Sequence, residues 1–188
     1  KLHCGGKGLN QSIAAARAGG KVYHAGKLGP NGEPLKELLK KEGIDISYLR
    51  NSDLSNGHAI IQVDSSGQNS ILLYAGSNHD QTKSEIDATL RDFSDCDYLI
   101  LQNEINELPY LIEKAYEKKL TIVFNPSPIT EELFKYPIDK VSLLILNETE
   151  GKELSNKTDP EEIINALYEK YGTDVLLTLG KDGAVYYN

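Results

Sequence analysis

Six residues near the start of the chain, Gly5-Gly6-Lys7-Gly8-Leu9-Asn10, carry a concentrated chemical signal. Three glycines in four positions let the backbone turn tightly and come close to a ligand. They lead into the alanine-rich segment Gln11 to Ala18, which has a helical pattern and whose first N–H groups would attract polar or anionic ligand atoms. Lys7 offers an ammonium and Asn10 an amide at that helix entrance. An amide both donates to and accepts from a hydroxyl, which suits a sugar. A glycine turn with Asn10 as the helix cap explains the same residues without any ligand.

Later polar groups share one kind of position. Gln102-Asn103-Glu104 follows the apolar run Tyr98 to Leu101, and Asn125-Pro126-Ser127-Pro128 follows Leu120 to Phe124. Asn147-Glu148-Thr149-Glu150 follows Ser142 to Leu146, and Gly180 follows Val175 to Leu179. If these runs are parallel strands, all four groups lie beyond carboxyl ends, where open α/β sheets bind ligands. Asn147 with Glu150 three residues on also spells a capping box, which satisfies helix amides by itself. Other devices are absent. His3, His24, His58 and His79 show no metal-type pairing, and there is no CxxC, GxSxG or GxGxxG. Between Gly20 and Lys27 the glycines are one residue too far apart for a P-loop, and Leu28 replaces its hydroxyl.

The elements that must position these groups follow from periodicity. Lys21 to Ala25 joins the four runs above as a fifth strand, and several runs are apolar on both faces, as a covered parallel sheet requires. Between them, Asn10 to Ala18, Leu35 to Glu42, Ile86 to Phe93 and Glu107 to Lys119 read as helices. Asp159-Pro160-Glu161-Glu162 opens another that runs to Tyr171 and stops at Gly172. Gly57 to Asp64 and Asn69 to Ala75, joined by Ser65-Ser66-Gly67-Gln68, form a hairpin with antiparallel strands. The expectation is a three-layer α/β/α fold with a mainly parallel sheet and a small hairpin lid. It forms a single domain over residues 1–188, with lid elements at about 1–6 and 55–78.

Composition narrows the partners. An apolar share of 39% over 188 residues is enough to bury a core. The net charge of −8 leaves no electrostatic footprint for nucleic acid or an anionic membrane. Cys4 and Cys96 provide no disulfide framework, and no apolar run is long enough to span a bilayer, so a soluble cytoplasmic protein is expected.

Taken in order, these motifs resemble the phosphofructokinase B, ribokinase-like family of carbohydrate kinases. The resemblance covers essentially the whole chain. It rests on Gly5 to Gln11 with its alanine-rich helix, the Gly57 to Asn78 hairpin and Leu101-Gln102-Asn103-Glu104. It rests further on the Asn-Pro-x-Pro turn at 125–128, Asn147-Glu148-Thr149-Glu150 and Thr178-Leu179-Gly180-Lys181-Asp182-Gly183. It implies ATP-dependent phosphorylation of a sugar, with the 5-hydroxyl of D-ribose as acceptor. Fructose, 2-keto-3-deoxygluconate or a nucleoside, or a non-catalytic sugar-sensing role, stand as alternatives. The backbone at Gly6, with Lys7, Asn10 and Glu104, would hold sugar hydroxyls. Asn147 would lie near the nucleotide phosphates, Thr178 and Gly180 on the ATP side, and Glu150 would organise Mg2+ through water. The hairpin would close over the sugar and form a homodimer contact.

The resemblance also has gaps. Leu146 and Asn106 stand where the family pattern has prolines. Lys1 and Tyr186-Tyr187-Asn188 read as cut ends. An Asn-x-Asp sugar-binding pair is expected before the first residue. A Gly-x-Gly-Asp loop is expected after Asn188, with the catalytic base and nearby adenine and K+ sites. The chain as it stands is therefore expected to be inactive, with no catalytic residue of its own.

Overall fold

A computed structural model describes residues 3–63 and 69–188. It divides into two compact units, 1–82 and 83–188.

The first unit opens with α1 (Lys7–Arg17), followed by β1 (Gly26–Leu28), α2 (Glu33–Lys41) and β2 (Leu49–Asn51). Leu9 of α1, Leu39 of α2 and Ile44 form its small core, with Ile13, Leu35 and Leu49 packed against them. β1 and β2 pair in parallel, Lys27 opposite Arg50. The strand expected at Lys21 to Ala25 is displaced. Only an isolated bridge, Tyr23 to Asp45, forms there, because the partner strand β2 lies opposite residues 26–28. The expected hairpin is present as β3 (His58–Val63) and β4 (Asn69–Tyr74), antiparallel with Ile60 opposite Leu72. Its turn, and residues 1 and 2 of the expected lid, lie outside the described residues. A 3-10 turn at Gly76–His79 closes the unit.

The second unit holds the main sheet, β5 (Tyr98–Gln102), β6 (Thr121–Asn125), β7 (Leu143–Asn147), β8 (Asp174–Thr178) and β9 (Ala184–Tyr187), in that spatial order. The first four are parallel and β9 is antiparallel to β8. Around them lie α3 (Lys83–Leu90), α4 (Leu108–Glu117), α5 (Glu148–Ser155) and α6 (Pro160–Tyr171). Alternation sorts the strand residues. Leu101, Ile122, Phe124, Leu144, Leu146, Val175 and Leu177 are buried in one cluster with Ile112, Leu154, Ile163 and Leu167 of the helices. The caps obey local chemistry. Asp159 accepts from the N–H groups of Glu161 (3.0 Å) and Glu162 (3.2 Å), and Gly172 ends α6 at φ 64°. No helix among the described residues is long and apolar enough to cross a membrane. Cys4 and Cys96 are exposed free thiols.

Candidate functional site

In the first unit the glycine turn and α1 form one device. Gly6 sits at φ 115°, ψ 148° as the residue before the helix, a conformation that L side chains avoid. The helix starts at Lys7, three residues earlier than its pattern suggests, so Asn10 is not the cap. Asn10 is the fourth helical residue, and its N–H donates to the Gly6 carbonyl at 3.0 Å. Its side chain is exposed and that of Lys7 half-buried.

Two polar contacts add to the packing of Leu9 and Ile13 in holding this helix. Ser12 Oγ lies 2.7 Å from His24 Nδ1. Burial pushes the His24 pKa below its ordinary value, which keeps the ring neutral and able to accept the hydroxyl proton. At the far end Arg17 donates to both carboxylate oxygens of Glu42, at 2.7 and 2.6 Å. The helix that presents Lys7 and Asn10 is thus tied to the β1 side and to the end of α2.

A second polar knot was not visible in the sequence. Lys27 Nζ, with a side chain only 8% exposed, lies 3.2 Å from Asp80 Oδ2. Ser52 Oγ donates to the same oxygen at 2.7 Å, and Ser77 Oγ donates to the Lys27 carbonyl at 3.1 Å. Ser52, followed by Lys27, holds the Asp80 carboxyl below its usual range. Its members are up to 53 residues apart, so no local spacing announces them. A recess of about 230 Å³ opens nearby, lined by Gly29, Gly32, Lys36 and Asn51 among others, and no sequence-predicted site residue lines it.

In the second unit the polar strand tips gather on one rim. Gln102 pairs with Asn125 at the ends of β5 and β6, and Asn147 pairs with Thr178 at the ends of β7 and β8. The rim is stepped rather than level. Phe124 lies opposite Leu144, so β7 and β8 run two residues further than β5 and β6, about 6.6 Å of rise. Side chains stitch the step laterally. Asn125 Nδ2 donates to the Ile145 carbonyl at 2.9 Å, and Asn125 Oδ1 accepts from Ser127 N at 3.3 Å. Asn103 Nδ2 donates to the Pro128 carbonyl at 2.6 Å. Glu104 follows in the turn, half-buried.

On the taller side Asn147 and Glu150 form the capping box. Asn147 Oδ1 accepts from Glu150 N and Glu150 Oε2 accepts from Asn147 N, both at 2.9 Å. The second end of each side chain, Asn147 Nδ2 and Glu150 Oε1, makes no hydrogen bond among the described residues, and Asn147 is exposed and Glu150 half-buried. Thr178 Oγ1 reaches back to the Leu146 carbonyl at 3.4 Å. Gly180 follows at φ 59° in a turn closed by Leu179 N donating to Gly183 O at 2.8 Å. A Cβ at Gly180 would meet nothing within 4 Å, so its backbone borders open space.

This donor set fits a nucleotide triphosphate: an amide, a hydroxyl and exposed glycine backbone on one rim. A lone carboxylate at Glu150 fits Mg2+, which keeps most of its waters and is held largely by phosphates. Among the described residues no group of three or more His, Cys, Asp or Glu is placed to hold a metal ion by itself.

Known proteins resemble this chain over nearly its whole length. A bifunctional ribokinase/ribose-5-phosphate isomerase A of Fructilactobacillus sanfranciscensis is 35% identical over 199 residues, covering 98% of this chain and 36% of the relative. A deoxyribokinase of Salmonella typhi is 30% identical over 196 residues, covering 99% of this chain and 64% of the relative. The solved ribokinase of Cryptococcus neoformans in complex with ADP superposes with a TM-score of 0.78 at 32% identity, covering 98% of this chain and 64% of that one. The chain thus spans less than two thirds of the length of each of these proteins, with a ribokinase-like α/β fold. The glycine turn, the stepped rim and the capping box all fall within residues 1–188, the span matched by the model of the pfkB family carbohydrate kinases, and the chain belongs to that family.

Proposed function

We propose that the protein carrying these residues transfers the γ-phosphoryl group of ATP to the 5-hydroxyl of D-ribose. The observation that carries the reading is the stepped rim, with Asn147 and Thr178 side by side on its taller half and Glu104 beyond its shorter half. The two heights suit two ligands of different size meeting end to end. Asn147, Thr178 and the Gly180 backbone line the nucleotide side, while Gly6, Lys7, Asn10 and Glu104 hold sugar hydroxyls. Names of relatives support this: ribokinase and deoxyribokinase act on pentoses, and the solved ribokinase holds ADP.

Phosphoryl transfer runs through a loose transition state, so positioning and charge stabilisation supply most of the rate. Lys7 and Asn10 fix the acceptor, Glu104 accepts from a sugar hydroxyl and orients the ring, and Asn147 orients phosphate oxygens. Glu150 would organise Mg2+ through water, and the ion would neutralise phosphate charge; K+ belongs to the same reading as a monovalent cation. None of these residues is assigned the removal of the hydroxyl proton. The β3–β4 hairpin serves as a lid that keeps water from the phosphate, and as the contact of a homodimer.

Sugar-dependent release of ADP tests the proposal. With ATP, Mg2+ and K+ present, the full-length protein that carries these residues is expected to give its highest kcat/KM with D-ribose in a panel with 2-deoxy-D-ribose, D-fructose, 2-keto-3-deoxygluconate and a nucleoside. A preference for another member replaces ribose as the substrate. No sugar-dependent ADP release by the full-length protein with any of them ends the kinase reading, whereas residues 1–188 alone are expected to release none.

A further inference from the structure

The loop between β5 and α4, residues 103–107, carries Glu104 and must be held still if that carboxylate is to select a hydroxyl. Its two ends are fixed by regular structure. Gln102 is in the ladder with Asn125, and Leu108, the first residue of α4, is fully buried. Within it, Glu107 lies in the left-handed region at φ 59°, so the chain bends sharply before the helix. A loop of this length has several conformers of similar energy unless something inside it is tied down.

The tie is Asn103. Its Nδ2 donates to the carbonyl of Pro128 at 2.6 Å, across the strand boundary to the turn that ends β6. That turn is itself rigid. Pro126 and Pro128 each restrict their own φ, Ser127 N donates to Asn125 Oδ1, and Asn125 Nδ2 donates onward to Ile145 O of β7. The Asn103 amide therefore couples the residue beside Glu104 to an anchor that runs through β6 into β7, the strand that ends in Asn147. Carbonyl acceptors cannot rearrange like side chains, so the direction of this hydrogen bond sets the turn.

We propose that Asn103 is a positioning residue for Glu104, holding the 103–107 loop so that the carboxylate meets the sugar in one orientation. The inference rests on the reading of Glu104 as a sugar ligand. In the full-length protein that carries these residues, the role predicts a defect confined to the sugar. Asn103→Leu, similar in volume and unable to donate, is expected to raise the KM for D-ribose about tenfold, the order of one lost hydrogen bond in an otherwise ordered site. The KM for ATP and kcat at saturating ribose are expected to change less than about twofold on the same footing. Asn103→His, whose Nδ1–H sits at the same distance from Cβ as the asparagine amide, should restore most of the ribose affinity.

A double-mutant cycle separates this from a general weakening of the fold. If Asn103 acts through Glu104, Asn103→Leu has no further effect on ribose KM in a Glu104→Gln background, whereas independent effects multiply. An unchanged ribose KM in Asn103→Leu, beside a raised KM in Glu104→Gln, overturns the positioning role and leaves the Glu104 reading intact. An unchanged ribose KM in Glu104→Gln alone removes Glu104 as a sugar ligand, and the positioning role falls with it. Multiplying effects in the double variant, or equal losses in kcat and in both KM values with a lowered melting temperature, show a purely structural residue. Should Asn103→Leu fail to fold, Asn103→Ser carries the same cycle.

Discussion

The side chain of Asn147 has two ends with different chemistry. Its Oδ1 caps α5 through Glu150 N, while its Nδ2 takes no part in the cap. Aspartate keeps the acceptor and suits a helix N-terminus, so Asn147→Asp should leave stability within about 0.5 kcal/mol. Asn147→Ala removes the cap and should cost about 1 kcal/mol in urea unfolding. If the amide meets a phosphate, both variants raise the KM for ATP, and the aspartate more so because it repels the anion. An unaltered ATP KM in Asn147→Asp would leave Asn147 as a cap alone. His24 gives a prediction about pH. Burial places its folded pKa below the unfolded value of about 6.5. Between those two values the unfolded chain binds the extra proton, so the contribution of His24 is complete above about 6.5 and is lost as pH falls toward the folded pKa. The melting temperature should therefore fall from pH 7.5 to pH 5.5, a range above the titration of ordinary carboxylates. His24→Gln, which can still accept from Ser12, should flatten that slope.

At the scale of elements, α5 packs on α6 and the sheet with no room for a side chain at Gly151. A Cβ there would stand 2.8 Å from Ile163 Cγ2, 2.9 Å from Leu177 Cδ1 and 3.3 Å from Leu146 Cδ1. All three neighbours are essentially fully buried and have little room to yield. Alanine gains roughly 1 kcal/mol of helix propensity over glycine, but overpacking a filled core costs about 1–3 kcal/mol. Gly151→Ala should thus be destabilising on balance, lowering the urea midpoint, and Gly151→Val much more so. Elements of this kind were largely legible beforehand. β5 to β8 are apolar runs between amphipathic segments, and each observed strand lies within one residue of its expected bounds. β2 escaped notice because three residues carry no periodicity. The first turn of α1 was hidden because Gly8, a poor helix former, reads as loop. The strand tips of the candidate site were legible for the same reason as the strands. The ties between them were not, since Asn103 to Pro128 and Asn125 to Ile145 depend on which strands become neighbours and in what register. The division at residue 82 left no trace either, as composition does not change there.

Over the whole molecule, charge and apolar exposure pull in opposite directions. The net charge of −8 keeps copies apart. The hairpin nevertheless shows apolar side chains to solvent: Ile60 and Leu72 are cross-strand partners, 48% and 67% exposed, next to the rings of His58 and Tyr74, tilted by 39° with centroids 5.0 Å apart. These four share one face of the ribbon, because side chains alternate along a strand. The proposed homodimer would bury this face against its copy, and its salt dependence follows from the balance of forces. Apolar burial does not weaken with added salt, whereas repulsion between two acidic subunits is screened, with a Debye length falling to about 3 Å at 1 M. Dimerisation should therefore tighten as NaCl rises from 50 mM to 500 mM, the opposite of an interface built on ion pairs. Leu72→Asp places a like charge at the centre of the patch on both subunits and should yield monomers at every salt concentration in sedimentation velocity. Leu90→Asp would be a poor control, since Leu90 is a core residue. Phe134→Asp is a better one, an exposed apolar residue outside the hairpin whose loss should leave the dimer intact. A wild-type protein that sediments as a monomer across the whole salt range would remove the hairpin contact and leave its role as a lid to be judged by sugar-independent ATP hydrolysis alone.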